Sequence, residues 1–489
     1  MEPLTRRQLL ALSAAAGTTA ALAACVGPST PSPTASPTAP APWTPPTDPM
    51  PFPAGYSWGA ATSAFQVEGS TTADGRGASV WDTFCAGGGR VRGGATGDPG
   101  ADHYRRYEED LDLMATLGLG AYRFSVSWPR IQPTGVGAAN QKGIDFYRRL
   151  VDGLRDRGIK PGITLFHWDL PQALQDAGGW PARDTAYRFA DYAQLMFDAL
   201  GDSAADWFTI NEPKTHAFVG HWYGAHAPGI ADPTAAAAAV HHQLLGHGLA
   251  VERFRASGAP GRIGIALNLM PVYPVSPEFE DSARIIDGTE NRLFLDPVLL
   301  GRYPEDGVGS AAGMVPTGRR QFDALALPGD LETISAPCDL LAIQYYGVTG
   351  AGADGASVSI YPTSNAPWQQ LHAEGLYDLL TRLVADYPAI PIVITENGIP
   401  DESAELTTDD PYRVDYLRDH FVQAARAIAE GVPLEAHYVW SMLDNFEWAE
   451  GYQQRWGIVA VDFKTQKRTP KASFDFYRSV IAANAVPTA

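Results

Sequence analysis

The sequence predicts an α/β protein whose main part is a single (β/α)8 TIM barrel with long loops at its carboxyl face. Three observations carry that expectation. Eight short apolar runs alternate with longer amphipathic stretches between residues 52 and 485, the repeat of a parallel barrel with strands buried on both faces. No break in composition divides that span, so residues 52–485 read as one domain. Two of the runs, Ile392–Thr395 and Asp206–Ile210, pass directly into Glu396 and into Asn211-Glu212. The carboxyl ends of barrel strands are where such a fold places its chemistry.

Before the barrel, residues 1–25 read as an export signal. Thr5-Arg6-Arg7-Gln8-Leu9-Leu10 resembles a twin-arginine motif, and an Ala/Leu-rich run to Ala24 follows that is short for a membrane-spanning helix. Leu22-Ala23-Ala24-Cys25 resembles a lipobox, which makes Cys25 the expected lipidated first residue of the mature chain. The expected location is the extracellular face of the cell membrane as a lipoprotein, or the medium. Residues 26–51 are almost entirely Pro, Ser, Thr and Ala, cannot bury a core, and are expected to be a disordered, extended tether. Two further cysteines, Cys85 and Cys338, read as separate thiols, because twin-arginine export carries folded proteins and calls for no disulfide framework.

Along the barrel the expected strands are Ser57–Ala64, Ala121–Ser127, Pro161–Phe166, Asp206–Ile210, Ile263–Asn268, Leu340–Tyr345, Ile392–Thr395 and Leu434–Trp440. Between them lie amphipathic stretches such as Tyr104–Leu117, Ile144–Arg157, Thr185–Leu200, Thr234–Ser257 and Val414–Glu430, with Phe474–Ala483 last. The longer inserts follow Ala64, Asn211, Asn268 and Tyr346, where they would wall a deep pocket. A net charge of −19 argues against nucleic acid and anionic membrane surfaces as partners, leaving a membrane link only through the lipid.

The strand ends carry Gln66, Arg123, His167-Trp168, Asn211-Glu212, Asn268, Tyr345-Tyr346, Glu396 and Trp440. Hydrogen-bonding and aromatic groups of this kind suit a polyhydroxylated ring. Two carboxylates facing one pocket are what glycoside hydrolysis needs, one protonated for the leaving group and one ionised. There is no phosphate-cradling Gly-rich loop and no Gly-x-Ser-x-Gly. His241, His242 and His247 share one expected helix without an acidic partner at ligand spacing, so they read as packed or capping residues and no metal site is expected.

Six stretches occur in an order that resembles glycoside hydrolase family one, the β-glucosidase family: Phe52–Gly69, Tyr122–Pro133, Thr164–Pro171, Trp207–Pro213 (Trp-Phe-Thr-Ile-Asn-Glu-Pro), Ile394–Gly398 (Ile-Thr-Glu-Asn-Gly) and Trp440–Tyr452. The resemblance implies one (β/α)8 barrel and retaining hydrolysis of terminal, non-reducing β-D-glucosyl residues from short β-glucosides or cello-oligosaccharides. It makes Glu212 the acid/base and Glu396 the nucleophile, with Arg123 and Tyr346 orienting the latter. It implies that Gln66, His167, Asn211, Glu447 and Trp448 grip the sugar above Trp440, with Trp368 on the leaving-group side. No metal or organic cofactor is implied. Three departures stand out. Gln344 replaces the family's usual Asn, Trp456 its usual Phe or Tyr, and a tether with a lipobox precedes the domain. Galactoside, fucoside or transglycosylating preferences remain alternatives, as does a non-catalytic glycan-binding lipoprotein, and the oligomeric state is open.

Overall fold

Each of the eight apolar runs forms a parallel strand, and together they close a barrel. The computed structural model describes residues 43–44, 46–203, 206–305, 319–401 and 405–488. Cys25, the expected signal and most of the expected tether lie outside the described residues.

The strands are β1 (Ser57–Ala61), β2 (Ala121–Ser125), β3 (Lys160–Phe166), β4 (Asp206–Asn211), β5 (Arg262–Asn268), β6 (Leu341–Gln344), β7 (Ile392–Glu396) and β8 (Leu434–Trp440). Neighbours in chain order pair in parallel, and β8 pairs with β1 to complete the circle. The helices that return the chain are α1 (His103–Leu117), α2 (Gln141–Asp156), α3 (Asp184–Leu200), α4 (Pro233–Ser257), α5 (Leu293–Leu300), α6 (Glu374–Asp386), α7 (Pro411–Ala429) and α8 (Ala472–Ala483). Small residues such as Ala121, Ala266 and Ala342 share the barrel core with the rings of Phe208 and Tyr438. Room for Tyr438 depends on Gly59, where an added Cβ would lie 2.3 Å from the ring.

Three strands stop short of the expected bounds. β1 ends at Ala61 rather than Ala64, because Ala64–Val67 turns into a short helix that carries Gln66. β2 ends at Ser125 rather than Ser127, and β6 covers Leu341–Gln344 rather than Leu340–Tyr345. A short apolar run reads the same in a strand and in the first turn of a buried helix, so periodicity cannot place these ends. At the other edge, Met50 and Pro51, expected in the tether, pair antiparallel with Val486 and Ala485.

Both strands that lead into the carboxylates carry an irregularity near their carboxyl ends. β4 shifts register against β5 between Phe208 and Asn211, and β7 shifts against β6 between Ile394 and Glu396. An extra residue there breaks the in–out alternation and re-aims the side chains that follow.

Candidate active site

A cavity of about 410 Å³ opens at the carboxyl end of the barrel, and Glu212, Glu396, His167, Tyr346, Trp440, Glu447 and Trp448 all line it. Glu396 ends β7 and Glu212 follows β4 immediately. The backbone at Glu212 is left-handed, with φ 44° and ψ 65°, and Trp168 and Trp448 also have positive φ. For non-glycine residues this is strained backbone, and here three instances gather at one pocket.

The two carboxylates have unlike partners. Arg123 Nη1 donates to Glu396 Oε1 at 2.5 Å, and the Tyr346 hydroxyl donates to Oε2 at 2.7 Å. Each Glu396 oxygen thus accepts from one donor, which favours the ionised form of this group. Glu212 takes both of its donors on Oε2, from the Thr215 hydroxyl at 2.5 Å and Asn268 Nδ2 at 3.2 Å. Its Oε1 is left to carry a proton. Burial raises the Glu212 carboxyl above its ordinary range, against the opposing pull of Thr215 and Asn268. Burial also raises Glu396, to about 7; Arg123 opposes the rise and the charge of Glu212 adds to it, so the pair resists a second negative charge and electrostatics alone do not favour Glu396 as the ionised member. Glu396 thus has a donor on each oxygen, whereas both donors to Glu212 fall on one.

Behind the lining stands a polar layer. Asn211 Oδ1 accepts from Arg123 Nη2 and from Gln344 Nε2, each at 2.6 Å. Gln344 therefore reaches Asn211 while Tyr346 keeps its bond to Glu396, and the extra methylene is accommodated. Asn211 Nδ2 lies 3.1 Å from His167 Nε2, which must accept from it. Burial, with Arg123 nearby, holds the His167 pKa well below the ordinary imidazole range, so the ring is neutral and its proton is on Nδ1. That Nδ1 has no hydrogen-bond partner among the described residues, and His167 itself lines the cavity.

Asn211, Gln66 and Arg123, expected in or beside the sugar site, are buried behind the cavity rather than forming its surface. Gln66 Nε2 donates to Asn445 Oδ1 at 3.1 Å and to Phe446 O at 3.0 Å, and approaches Glu447 Oε2 at 3.4 Å. Its place is to hold the loop that carries Glu447 and Trp448. Burial, then the charges of Glu396 and Glu212, raises Glu447 well above the ordinary carboxylate range. The His167 ring lies nearly parallel to Trp440 and to Trp448, each 5.9 Å away. Trp368 lines the mouth at 56% exposure, and its ring lies 6.1 Å from Trp456 with planes 16° apart.

Several lining groups were not singled out by the sequence. Lys214, Thr215 and Val219 follow Glu212, and Met270 and Glu290 lie in the insert after β5. Their strand-end neighbours are visible as motifs, whereas the inserts take shape only through tertiary contacts. Gln369 was also missed, although its Nε2 donates to Tyr346 O and Gly398 O and so joins the loops after β6 and β7. At Gly398 an added Cβ would fall 1.9 Å from Trp440 O, which explains the glycine after Thr395-Glu396-Asn397.

Cys85 and Cys338 are free thiols. His241 bonds to the Tyr303 hydroxyl and Asp330, His242 to Trp180 O, and His247 to the Thr209 hydroxyl. Among the described residues no group of three or more His, Cys, Asp or Glu side chains is placed to hold a metal ion.

The family described as Glycosyl hydrolase family 1 matches residues 49–486. The chain belongs to glycosyl hydrolase family 1. Beta-glucosidase A of Acetivibrio thermocellus is 45% identical over 448 residues, covering 88% of this chain and 98% of that protein. Beta-glucosidase A of Thermotoga maritima is 43% identical over 446 residues, with 88% and 98% covered. A solved family 1 β-glucosidase from Thermotoga maritima superposes with a TM-score of 0.84 at 42% identity, covering 90% of this chain and 99% of that one. Family membership makes this chain a glycoside hydrolase, and the eight-stranded barrel is the shared scaffold.

Proposed function

We propose that this chain is an exo-acting β-glucosidase that retains configuration through a covalent glycosyl-enzyme. The observation that carries the reading is the unequal pair in one cavity: Glu396 with a donor on each oxygen, Glu212 with one oxygen free for a proton. In the first step a Glu396 oxygen attacks the anomeric carbon as the glycosidic C–O bond breaks, and Glu212 gives its proton to the departing oxygen. Loss of the Glu396 charge in the ester then lowers the Glu212 pKa, because the like charge that opposed ionisation has gone. In the second step Glu212 takes a proton from water, whose oxygen attacks the anomeric carbon and releases Glu396. A retaining mechanism needs the two carboxyl groups about 5–5.5 Å apart. The β-glucosidase names of its relatives support glucose in the first sugar site. Neutral His167 suits donation from Nδ1 to a sugar hydroxyl, and Trp440 suits the C–H face of the ring.

Location belongs to the same proposal. Arg6, Arg7, the apolar run and Cys25 support an exported enzyme held to the outer face of the membrane by lipid, acting on sugars that arrive from outside.

Azide tests the assignment of roles. Glu396→Gly is expected to be inactive on nitrophenyl β-glucoside and to regain turnover with azide, giving the α-glucosyl azide. Glu212→Ala is expected to form the glycosyl-enzyme from the activated substrate, turn over slowly, and with azide give the β-glucosyl azide. Exchanged anomers would reverse the two roles, and an inactive wild type would remove the proposed activity.

A further inference from the structure

We infer that Asn291 is a positioning residue for the acid/base carboxyl, acting on Glu212 through the backbone of Met270 and the side chain of Asn268. The inference rests on the β-glucosidase reading above and adds to it a residue outside the cavity. β5 ends at Asn268, whose Nδ2 donates to Glu212 Oε2. On one side the end of β5 is held by β6: Asn268 pairs with Gln344, and Leu269 N–H donates to Gln344 O at 3.2 Å. On the other side the pairing with β4 goes no further than Ala266 with Asn211. The chain therefore leaves the barrel with one edge unsupported just where Asn268 aims its amide at the acid.

Asn291 supplies that support. Met270 N–H donates to Asn291 Oδ1 at 2.9 Å, and Asn291 Nδ2 donates to Met270 O at 2.8 Å. One side-chain amide thus makes with Met270 the two-bond exchange that a paired strand would make. Asn291 Nδ2 also donates to Asp287 Oδ1 at 2.7 Å. Asp287 is held in turn by Arg382 Nη2 at 2.8 Å and Arg292 Nε at 2.9 Å, so the amide cannot turn over without breaking three bonds. Its neighbour Glu290 bonds Lys214 at 2.8 Å, on the turn that directly follows Glu212. Residues 290 and 291 therefore tie together the two segments that flank the acid. Asn291 is wholly buried and is not among the residues that line the cavity, so its influence on the chemistry is indirect. The bond it protects has little slack. Asn268 reaches Glu212 at 3.2 Å, the long end of the range for N–H···O, and a loop shift of about half an ångström breaks it. A general acid must lie within hydrogen-bond reach of the oxygen it protonates, and misplacement weakens proton transfer before it weakens anything else.

The test uses two aryl glucosides that fill the leaving site alike but differ in their need for the acid. Phenol departs with a proton from Glu212, whereas 2,4-dinitrophenol departs as its stable anion, and kcat/KM reports the first step for both. In Asn291→Ala, kcat/KM for phenyl β-glucoside is expected to fall at least about tenfold, and that for 2,4-dinitrophenyl β-glucoside less than about twofold. Where the Ala variant does not fold, Asn291→Ser, whose hydroxyl can still bond one of the three groups, is expected to show the same split. In Asn268→Ala/Asn291→Ala the phenyl β-glucoside value is expected to match that of Asn268→Ala alone, since the amide that Asn291 places has gone. Equal losses on the two substrates in a folded variant, no loss on either, or losses that multiply in the double variant overturn the inference and reduce Asn291 to support of the loop. Wild type with no activity on either substrate would instead overturn the β-glucosidase reading beneath it.

Discussion

At Glu212, the proposed general acid, a single hydroxyl sets part of the carboxyl's strength. Thr215 donates to Oε2, a bond that favours the ionised carboxylate and so lowers the pKa that burial has raised. Asn268 donates to the same oxygen, Lys214 and Arg123 pull in the same direction, and burial opposes them all. Thr215→Val removes one stabiliser of the charged form, and the acid's pKa moves up. A general acid works while protonated, so the alkaline limb of kcat/KM against pH is expected to shift to higher pH. The acid limb, governed mainly by ionisation of Glu396, is expected to stay in place. A pH–rate profile on nitrophenyl β-glucoside checks this, and an alkaline limb that moves down contradicts it. Glu212 and Glu396 were legible because each terminates a buried apolar strand, where a carboxylate is costly without a task. Thr215 was not legible, because nothing in Lys214-Thr215-His216 announces that a turn will fold the hydroxyl back onto the preceding Glu.

Among the elements, the segment after β7 and the loop after β8 are tied to the outer helices by a buried ion network. Arg413 of α7 bonds Asp401 and Asp410, each at 2.5 Å. Lys471, just before α8, bonds Asp401 at 2.8 Å and Asp444 at 2.9 Å, and Arg455 bonds Asp444 at 3.0 Å. Asp444 also accepts from the backbone N–H groups of Gly457 and Val461, shaping the loop that bears Glu447, Trp448 and Trp456. Three carboxylates and three cations balance, which is the condition for burying them. Lys471→Met leaves Asp401 and Asp444 facing each other without their shared ammonium. The expected cost is about 3–5 kcal/mol of unfolding free energy by guanidinium denaturation. The exposed Lys464→Met should cost under about 0.5 kcal/mol. Equal effects of the two would show that the network contributes no stability. The eight strands and most helices of this architecture were legible, since their apolar patterns are local. The network was not, because its members are scattered from residue 401 to residue 471 and each alone resembles an ordinary surface charge.

For the molecule as a whole, the barrel strands pair into a closed circle that begins at Ser57, and among the described residues Met50 is the first before it to pair with the carboxyl terminus. Met50 and Pro51 pair with the carboxyl-terminal Ala485 and Val486. Next, Phe52, Tyr56 and Trp58 form an aromatic cluster with ring centroids 4.6–4.9 Å apart. Trp58 continues it outward to Phe421 of α7 and Tyr477 of α8. The aromatic seal thus belongs to the fold, and the task proposed for the segment upstream of it is attachment. Cys25→Ser is therefore expected to move β-glucosidase activity from the membrane fraction to the soluble fraction, with Tm and kcat/KM unchanged. A chain begun at Thr47 is expected to behave as the soluble Cys25→Ser protein does. One begun at Ser57 loses the Phe52 and Tyr56 rings, each a large buried side chain whose truncation costs roughly 3–5 kcal/mol, and its Tm should fall by several degrees. Cell fractionation reads the first effect and thermal unfolding the second. If wild-type activity is already wholly soluble outside the cell, the lipid anchor is wrong. If the chain begun at Thr47 melts as low as the one begun at Ser57, the boundary at the aromatic seal is wrong.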